Sequence, residues 1–211
     1  MKDKKNSTKN VHLKEQSNTT IDYYNNNAEL FLNSTFSVPF SFQQEMFSKY
    51  LKKGDTILDF GCGSGRDSLE FIKKGFCVDS IDGSYKICEL TRKQTGLKVR
   101  LMFFSELNEI EKYNGVWACA SLLHLSSKEL PFIFEKIYKS LKDKGILYTS
   151  FKYGNFEGIR NERYFTDMTE EKFLQQKSIL QLFKILESQI TCDVRKGKEN
   201  EKWMNIILQK K

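Results

Sequence analysis

The chain has 211 residues, 39% hydrophobic and 29% charged, the balance of a soluble globular protein with one good core. No apolar run approaches the roughly 20 residues of a membrane span, and the polar start MKDKKNSTKNVHLKEQSNTT lacks an apolar signal-peptide region, so a cytoplasmic location is expected. The net charge of +7 sits at the two ends, leaving residues 21–194 neutral with 23 basic and 23 acidic side chains, which speaks against a nucleic-acid groove.

Residues 1–20 read as a disordered polar leader and 21–211 as a single domain. IDYYNNNAELFLNST and SFQQEMFSKYLKKGD read as helices; in the second, Phe42, Met46, Phe47, Tyr50 and Leu51 recur at helical spacing. Strand-like runs then alternate with helices. The strands are expected at Thr56–Phe60, Phe76–Ile81, Lys98–Phe103, Gly115–Ala120 and Ile146–Phe151, with helices near 66–74, 84–95 and 127–141 between them. Ser126 and Glu129 have capping-box spacing at the start of the last helix. A helix near 169–183 follows, and then ILESQITCDVR and EKWMNIILQK, joined by KGKEN, read as an antiparallel hairpin. Strands separated by helices imply a doubly wound α/β fold, a Rossmann-like, mostly parallel sheet with helices on both faces and an antiparallel end. The five cysteines are odd in number, none forms a CxxC, and only two histidines accompany them, so no metal site is expected.

TILDFGCGSGRD places Gly61, Gly63 and Gly65 between the first strand and the helix after it. Glycine there permits a tight turn and close approach to a ligand. In open α/β sheets ligands bind at the carboxyl ends of the strands. Asp82 follows the second strand, where a carboxylate can accept from ribose hydroxyls. A phosphate-binding loop would need Gly-Lys-Ser/Thr where Arg66-Asp67 stands, and a dinucleotide turn would read GxGxxG. Asp59, just before the glycines, would repel a pyrophosphate and suit a ligand bearing an ammonium and a sulfonium.

ILDFGCGSGRD resembles motif I of class I S-adenosylmethionine-dependent methyltransferases, and VDSIDGS resembles their second motif, with the likeness running from about residue 22 onward. GVWACASLLHL, LKDKGILYTSFKYG and NERYFTDMTEE resemble a compact bacterial subgroup similar to tellurite-resistance methyltransferases, which act on small molecules. The resemblance implies a seven-stranded sheet with its last strand antiparallel, S-adenosylmethionine as cofactor, and a small-molecule methyl acceptor for a monomer or homodimer. It further implies that Gly61, Cys62, Gly63, Gly65 and Arg66 line the cofactor, with Asp59 toward its amino group. Asp82 would hold the ribose, Gly83 and Ser84 would flank the adenosine, and Glu106 would accept from the adenine amine. Cys119 and Ala120 would run beneath the methionine portion, and Tyr24 would close over it.

His124, the one histidine of the folded body, is a candidate to orient the acceptor or take its proton. Tyr153 and Arg163 belong to candidate lid segments and complete the catalytic set. Arg195, Trp203 and Asn205 are expected to pack the hairpin, away from the cofactor. The only prolines, Pro39 and Pro131, are each followed by Phe, so neither the Asp/Asn-Pro-Pro-aromatic nor the Pro-Cys motif of base methylation is present. Ribose or ring-nitrogen methylation of RNA stays open, as does a non-catalytic cofactor-binding scaffold.

Overall fold

The computed structural model describes residues 19–211. The leader assigned to residues 1–20 lies outside that range except at its end. Residues 19 and 20 are helical, and Thr20 is buried where its hydroxyl accepts from the Tyr164 amide at 3.0 Å. Residues 19–26 form α1, followed by α2 (Ala28–Thr35) and α3 (Ser41–Ser48). The α/β body then runs β1 (Thr56–Phe60), α4 (Arg66–Lys73), β2 (Cys77–Asp82), α5 (Tyr85–Thr95), β3 (Val99–Leu101), β4 (Tyr113–Ala118), α6 (Leu130–Ser140) and β5 (Leu141–Lys152). A short ribbon, β6 (Glu157–Arg160) and β7 (Arg163–Thr166), precedes α7 (Glu170–Leu174) and α8 (Lys177–Leu182). The chain closes with β8 (Phe183–Cys192) and β9 (Lys202–Lys210).

Seven strands form one sheet in the order β3-β2-β1-β4-β5-β9-β8. The first five are parallel, and β9 runs antiparallel between β5 and β8. The order reverses between β1 and β4, so both carboxyl ends open onto the crevice where such sheets bind ligands. Neighbouring residues alternate between faces. Leu58, Val116, Leu147 and Ile206 join the core under α6, whereas Ile57, Trp117, Tyr148 and Ile207 join the one containing Phe47 and Phe71 of α3 and α4. Burial on both faces explains the continuous apolar runs of the strands. Of the described residues, no helix is long and apolar enough to cross a membrane.

Several expectations shift. β4 ends at Ala118, leaving Cys119 and Ala120 in the turn beyond it, with Ala120 left-handed at φ 49°. β5 begins at Leu141, five residues before the apolar run. Ser126 and Glu129 do bond, the Ser126 amide and hydroxyl donating to Glu129 Oε2 at 2.8 and 2.7 Å, but across a turn that precedes α6. The helix expected at 169–183 is two short ones. Phe173 and Ile179 are both buried, and six residues on one helix would point them to different sides. The ribbon β6–β7 replaces the expected lid loop. Its turn holds Asn161 and Glu162 at φ 50° and 60°, the left-handed pair of a tight hairpin without the glycine that normally signals one.

Candidate active site

The glycine turn is shaped by what stands against each missing side chain. A Cβ on Gly61 (φ 92°) would lie 2.7 Å from Ser121 Cβ, and one on Gly63 (φ 52°) would lie 3.0 Å from the Phe31 ring of α2. The Gly61 and Cys62 amides donate to the Ile81 carbonyl at 3.0 and 2.8 Å, pinning the turn to the end of β2. Asp82 finishes the clasp, one carboxylate oxygen accepting from the Gly63 amide at 3.0 Å and the other from the Ser84 amide at 2.9 Å. Burial raises the Asp82 pKa, and the amide donors pull it back.

Beside this turn opens a cavity of about 1710 Å³, larger than the roughly 300–1,000 Å³ usual for one small ligand. Gly61, Cys62, Gly63, Arg66, Asp82 and Gly83 line it from the β1–β2 side. Cys119, Ala120 and His124 line it from the end of β4, and Tyr24, Tyr153 and Arg163 from the segments above. Burial pushes both thiols, Cys62 and Cys119, well up, so neither offers a thiolate. The Arg66 guanidinium is clamped by Asp67 through two bonds of 2.8 Å, and Asp67 also accepts from Gln44 and from the Trp117 indole at 2.7 and 3.0 Å.

Four of the residues expected to meet the cofactor are not on the cavity wall. Asp59 is not on the cavity wall; it is buried beneath the turn, accepting from the Ser68 hydroxyl at 2.5 Å, and burial, with Asp67 nearby, lifts its pKa to about 8. Gly65 caps α4, where an added Cβ would lie only 2.9 Å from Leu97 and from Thr91. Ser84 is the N-cap of α5, accepting from the Ile87 amide at 3.1 Å. Glu106 is exposed and folds back onto the Phe103 amide at 2.7 Å, so the cavity wall there is Phe103, Phe104 and Ser105.

The opposite wall centres on His124. Its Nδ1 lies 2.7 Å from the Tyr164 carbonyl, which can only accept, so Nδ1 carries the hydrogen and Nε2 receives the Tyr24 hydroxyl at 2.9 Å. Burial, with the Arg163 charge beside it, lowers the His124 pKa to about 4. Burial also raises Tyr24, against the pull of Arg163. The Arg163 guanidinium lies 4.3 Å from the Tyr23 ring centroid and 5.2 Å from that of Phe165.

Arg195, Trp203 and Asn205, expected to pack away from the site, line this cavity. Because β9 is antiparallel to β5, its first residues stand at the carboxyl edge: Lys152 pairs with Trp203 and Ser150 with Asn205. Asp193 orders the turn there, accepting from the Arg195 Nε and the Trp203 indole, each at 2.9 Å. The antiparallel register was the available signal for these residues. Phe31 and Ser121 carried none, because they meet the glycines only in three dimensions.

Residues 57–145 match the methyltransferase domain family. Over 115 residues the chain is 31% identical to a Geobacillus sp. (strain WCH70) protein, covering 51% of this chain and 47% of that one. Over 107 residues it is 31% identical to YqeM of Bacillus subtilis (strain 168), covering 46% and 43%. Both relatives carry provisional methyltransferase names, and the chain spans less than half the length of either. Among solved structures, the 1,6-didemethyltoxoflavin-N1-methyltransferase of Burkholderia thailandensis, with its substrate and S-adenosylhomocysteine bound, superposes with TM-score 0.75 at 18% identity, over 94% of this chain and 90% of that one. TehB of Haemophilus influenzae gives TM-score 0.64 at 18% identity, over 83% and 63%, and the [4+2]-cyclase SpnF gives 0.63 at 16%, over 79% of each. At such identities the likeness is one of fold: a Rossmann-like, seven-stranded methyltransferase architecture.

Proposed function

We propose that this chain is an S-adenosylmethionine-dependent methyltransferase acting on a small molecule. The observation that carries the reading is the placement of Asp82 and the glycine turn on one wall of a single cavity, facing the Tyr24–His124 pair on the other. The match of residues 57–145 to the methyltransferase domain supports it, as does the cavity's room for a cofactor and an acceptor together. The 1,6-didemethyltoxoflavin bound by the structurally similar Burkholderia thailandensis methyltransferase favours a small acceptor over RNA.

The residues present fit the cofactor. Gly61 and Gly63 leave no room for a Cβ, so the turn's backbone is the wall. A carboxylate offers about four acceptor positions; Asp82 accepts from the Gly63 and Ser84 amides, with the Gly83 amide also drawing on it, which leaves capacity for a ribose hydroxyl. The Ser121 hydroxyl is buried against the Gly61 turn with no partner among the described residues. When bound, S-adenosylmethionine supplies a methyl group already activated on a cationic sulfonium.

The chain's own task is alignment and exclusion of water. Tyr24 and His124 are poorly suited to general base catalysis. Nε2 is occupied by the Tyr24 hydroxyl, and a pKa near 4 makes it a weak proton acceptor. The pair instead fixes the acceptor's position, which suits a nucleophile that arrives without a tightly held proton.

Calorimetric titration with S-adenosylmethionine and S-adenosylhomocysteine, with NAD as control, tests the cofactor. Because SpnF is named a cyclase, transfer of a labelled methyl group to a panel of small molecules and RNA completes the test. Micromolar binding with label only in small molecules is the expected result. Absence of binding, or label in RNA alone, refutes the reading.

A further inference from the structure

Six arginines fall among the described residues, and five have a carboxylate or backbone carbonyl as partner. Arg66 pairs with Asp67, Arg100 with Glu109, Arg160 with Asp167 and Arg195 with Asp193, while Arg92 donates to the Val99 carbonyl. Arg163 differs. It lines the cavity and hydrogen-bonds the Tyr24 hydroxyl, but it forms no ion pair among the described residues, and its buried Nε–H has no acceptor there. Native folds rarely leave a buried donor unpaired, least of all on a charged group.

The surroundings define what would complete it. The guanidinium is walled by the rings of Tyr23, Phe165 and Tyr24, at 4.3, 5.2 and 5.8 Å from their centroids. His124, one step further in, is neutral and adds no competing charge. At the rim, Glu201 answers both Lys152 and Lys198, leaving Lys202 as surplus positive charge on the same cavity. A planar guanidinium fork matches an oxyanion with two parallel hydrogen bonds, and aromatic walls favour a flat ring.

We propose that Arg163 recognises an oxyanion on the methyl acceptor, so that the site takes small aromatic or heteroaromatic acids in preference to neutral analogues. The proposal rests on the acceptor assignment above.

The test compares benzoate and salicylate with benzamide and salicylamide, isosteres lacking the charge. Binding is measured calorimetrically with and without saturating S-adenosylhomocysteine, on wild type, Arg163→Gln and Arg163→Lys. Each acid should bind wild type at least about tenfold more tightly than its amide, and Arg163→Gln should bring the ratio to near unity. Should that variant not fold, Arg163→Lys decides: it keeps the charge but loses the fork, and should bind acids several-fold more weakly with amide affinity unchanged. Equal binding of acid and amide, no detectable binding of either, or an acid preference that survives both substitutions overturns the proposal. Failure of S-adenosylhomocysteine to bind refutes the cofactor reading separately, since the acid–amide ratio is still read in its absence.

Discussion

Asp82 is a structural clasp and the proposed ribose contact, and replacing it separates the two. In Asp82→Ala the Gly63 and Ser84 amides lose acceptors now at 3.0 and 2.9 Å. Each half-buried N–H left unpaired costs about 1–2 kcal/mol, so the ligand-free protein should lose about 2–4 kcal/mol. At about 2–4 °C per kcal/mol for a domain of this size, Tm should fall by roughly 5–15 °C. Loss of the ribose contacts should weaken S-adenosylmethionine by a further 1–3 kcal/mol or so, about five- to 150-fold in Kd. Asp82→Asn provides the internal comparison. Its amide oxygen can serve one backbone N–H, while its NH2 faces the other, donor against donor, so Tm should fall nearly as far. Its remaining acceptor should keep part of the ligand affinity. Urea unfolding and calorimetric titration of the two variants read the terms independently. Wild-type Tm and Kd in Asp82→Ala would refute the clasp and the ribose assignment together.

Gly61→Ala should lose roughly 1–3 kcal/mol from its positive φ and more from the 2.7 Å approach to Ser121 Cβ. Adding Ser121→Gly should restore only the second part, seen as non-additivity in urea unfolding. His124 has a folded pKa near 4, below the 6.5 of an unfolded histidine, so the unfolded chain takes a proton first as pH falls. Stability should therefore decline from pH 6.5 to 4 by up to about 3 kcal/mol, and His124→Asn should flatten that slope in unfolding measured at pH 7 and 5. Asp59 works the opposite way. Its folded pKa near 8, against 3.8 unfolded, makes stability fall as pH rises between those values. Asp59→Asn keeps an oxygen for Ser68 and should remove this loss, of the order of several kcal/mol, leaving the variant the more stable protein at pH 8.5.

The parallel half of the molecule was legible because its signals are local. β1 falls at Thr56–Phe60 as read, since Ile57, Leu58 and Phe60 make a short, mostly apolar run bounded by the Gly54 and Gly61 turns. Boundaries slipped where tertiary contacts extend an element past its apolar run. Leu141–Gly145 joins β5 although Lys142, Asp143 and Lys144 are exposed polar residues. The ribbon β6–β7 went unread because its turn uses Asn161-Glu162, which carries no glycine.

The two walls of the cavity differ in the same way. The wall holding Gly61, Gly63 and Asp82 is built within one β1-α4-β2 unit, so spacing along the chain is nearly spacing in the molecule. Even so, spacing does not say which way a side chain turns. Asp59 and Gly65 flank the turn in sequence, yet one is buried under it and the other packs α4 against its neighbours. The facing wall draws Tyr24 from α1, His124 from beyond β4, Arg163 from β7 and Trp203 from β9. Each comes from a separate element, joined by bonds such as Tyr24–His124 that span 100 residues. No local pattern encodes such a wall, and loops and chain ends change more freely than a strand order fixed by core packing. The stretch 57–145 that matches the methyltransferase domain holds all of the first wall but only His124 of these four residues of the second, so the proposed acceptor specificity is to be sought chiefly outside that stretch, residue by residue, beginning at Arg163.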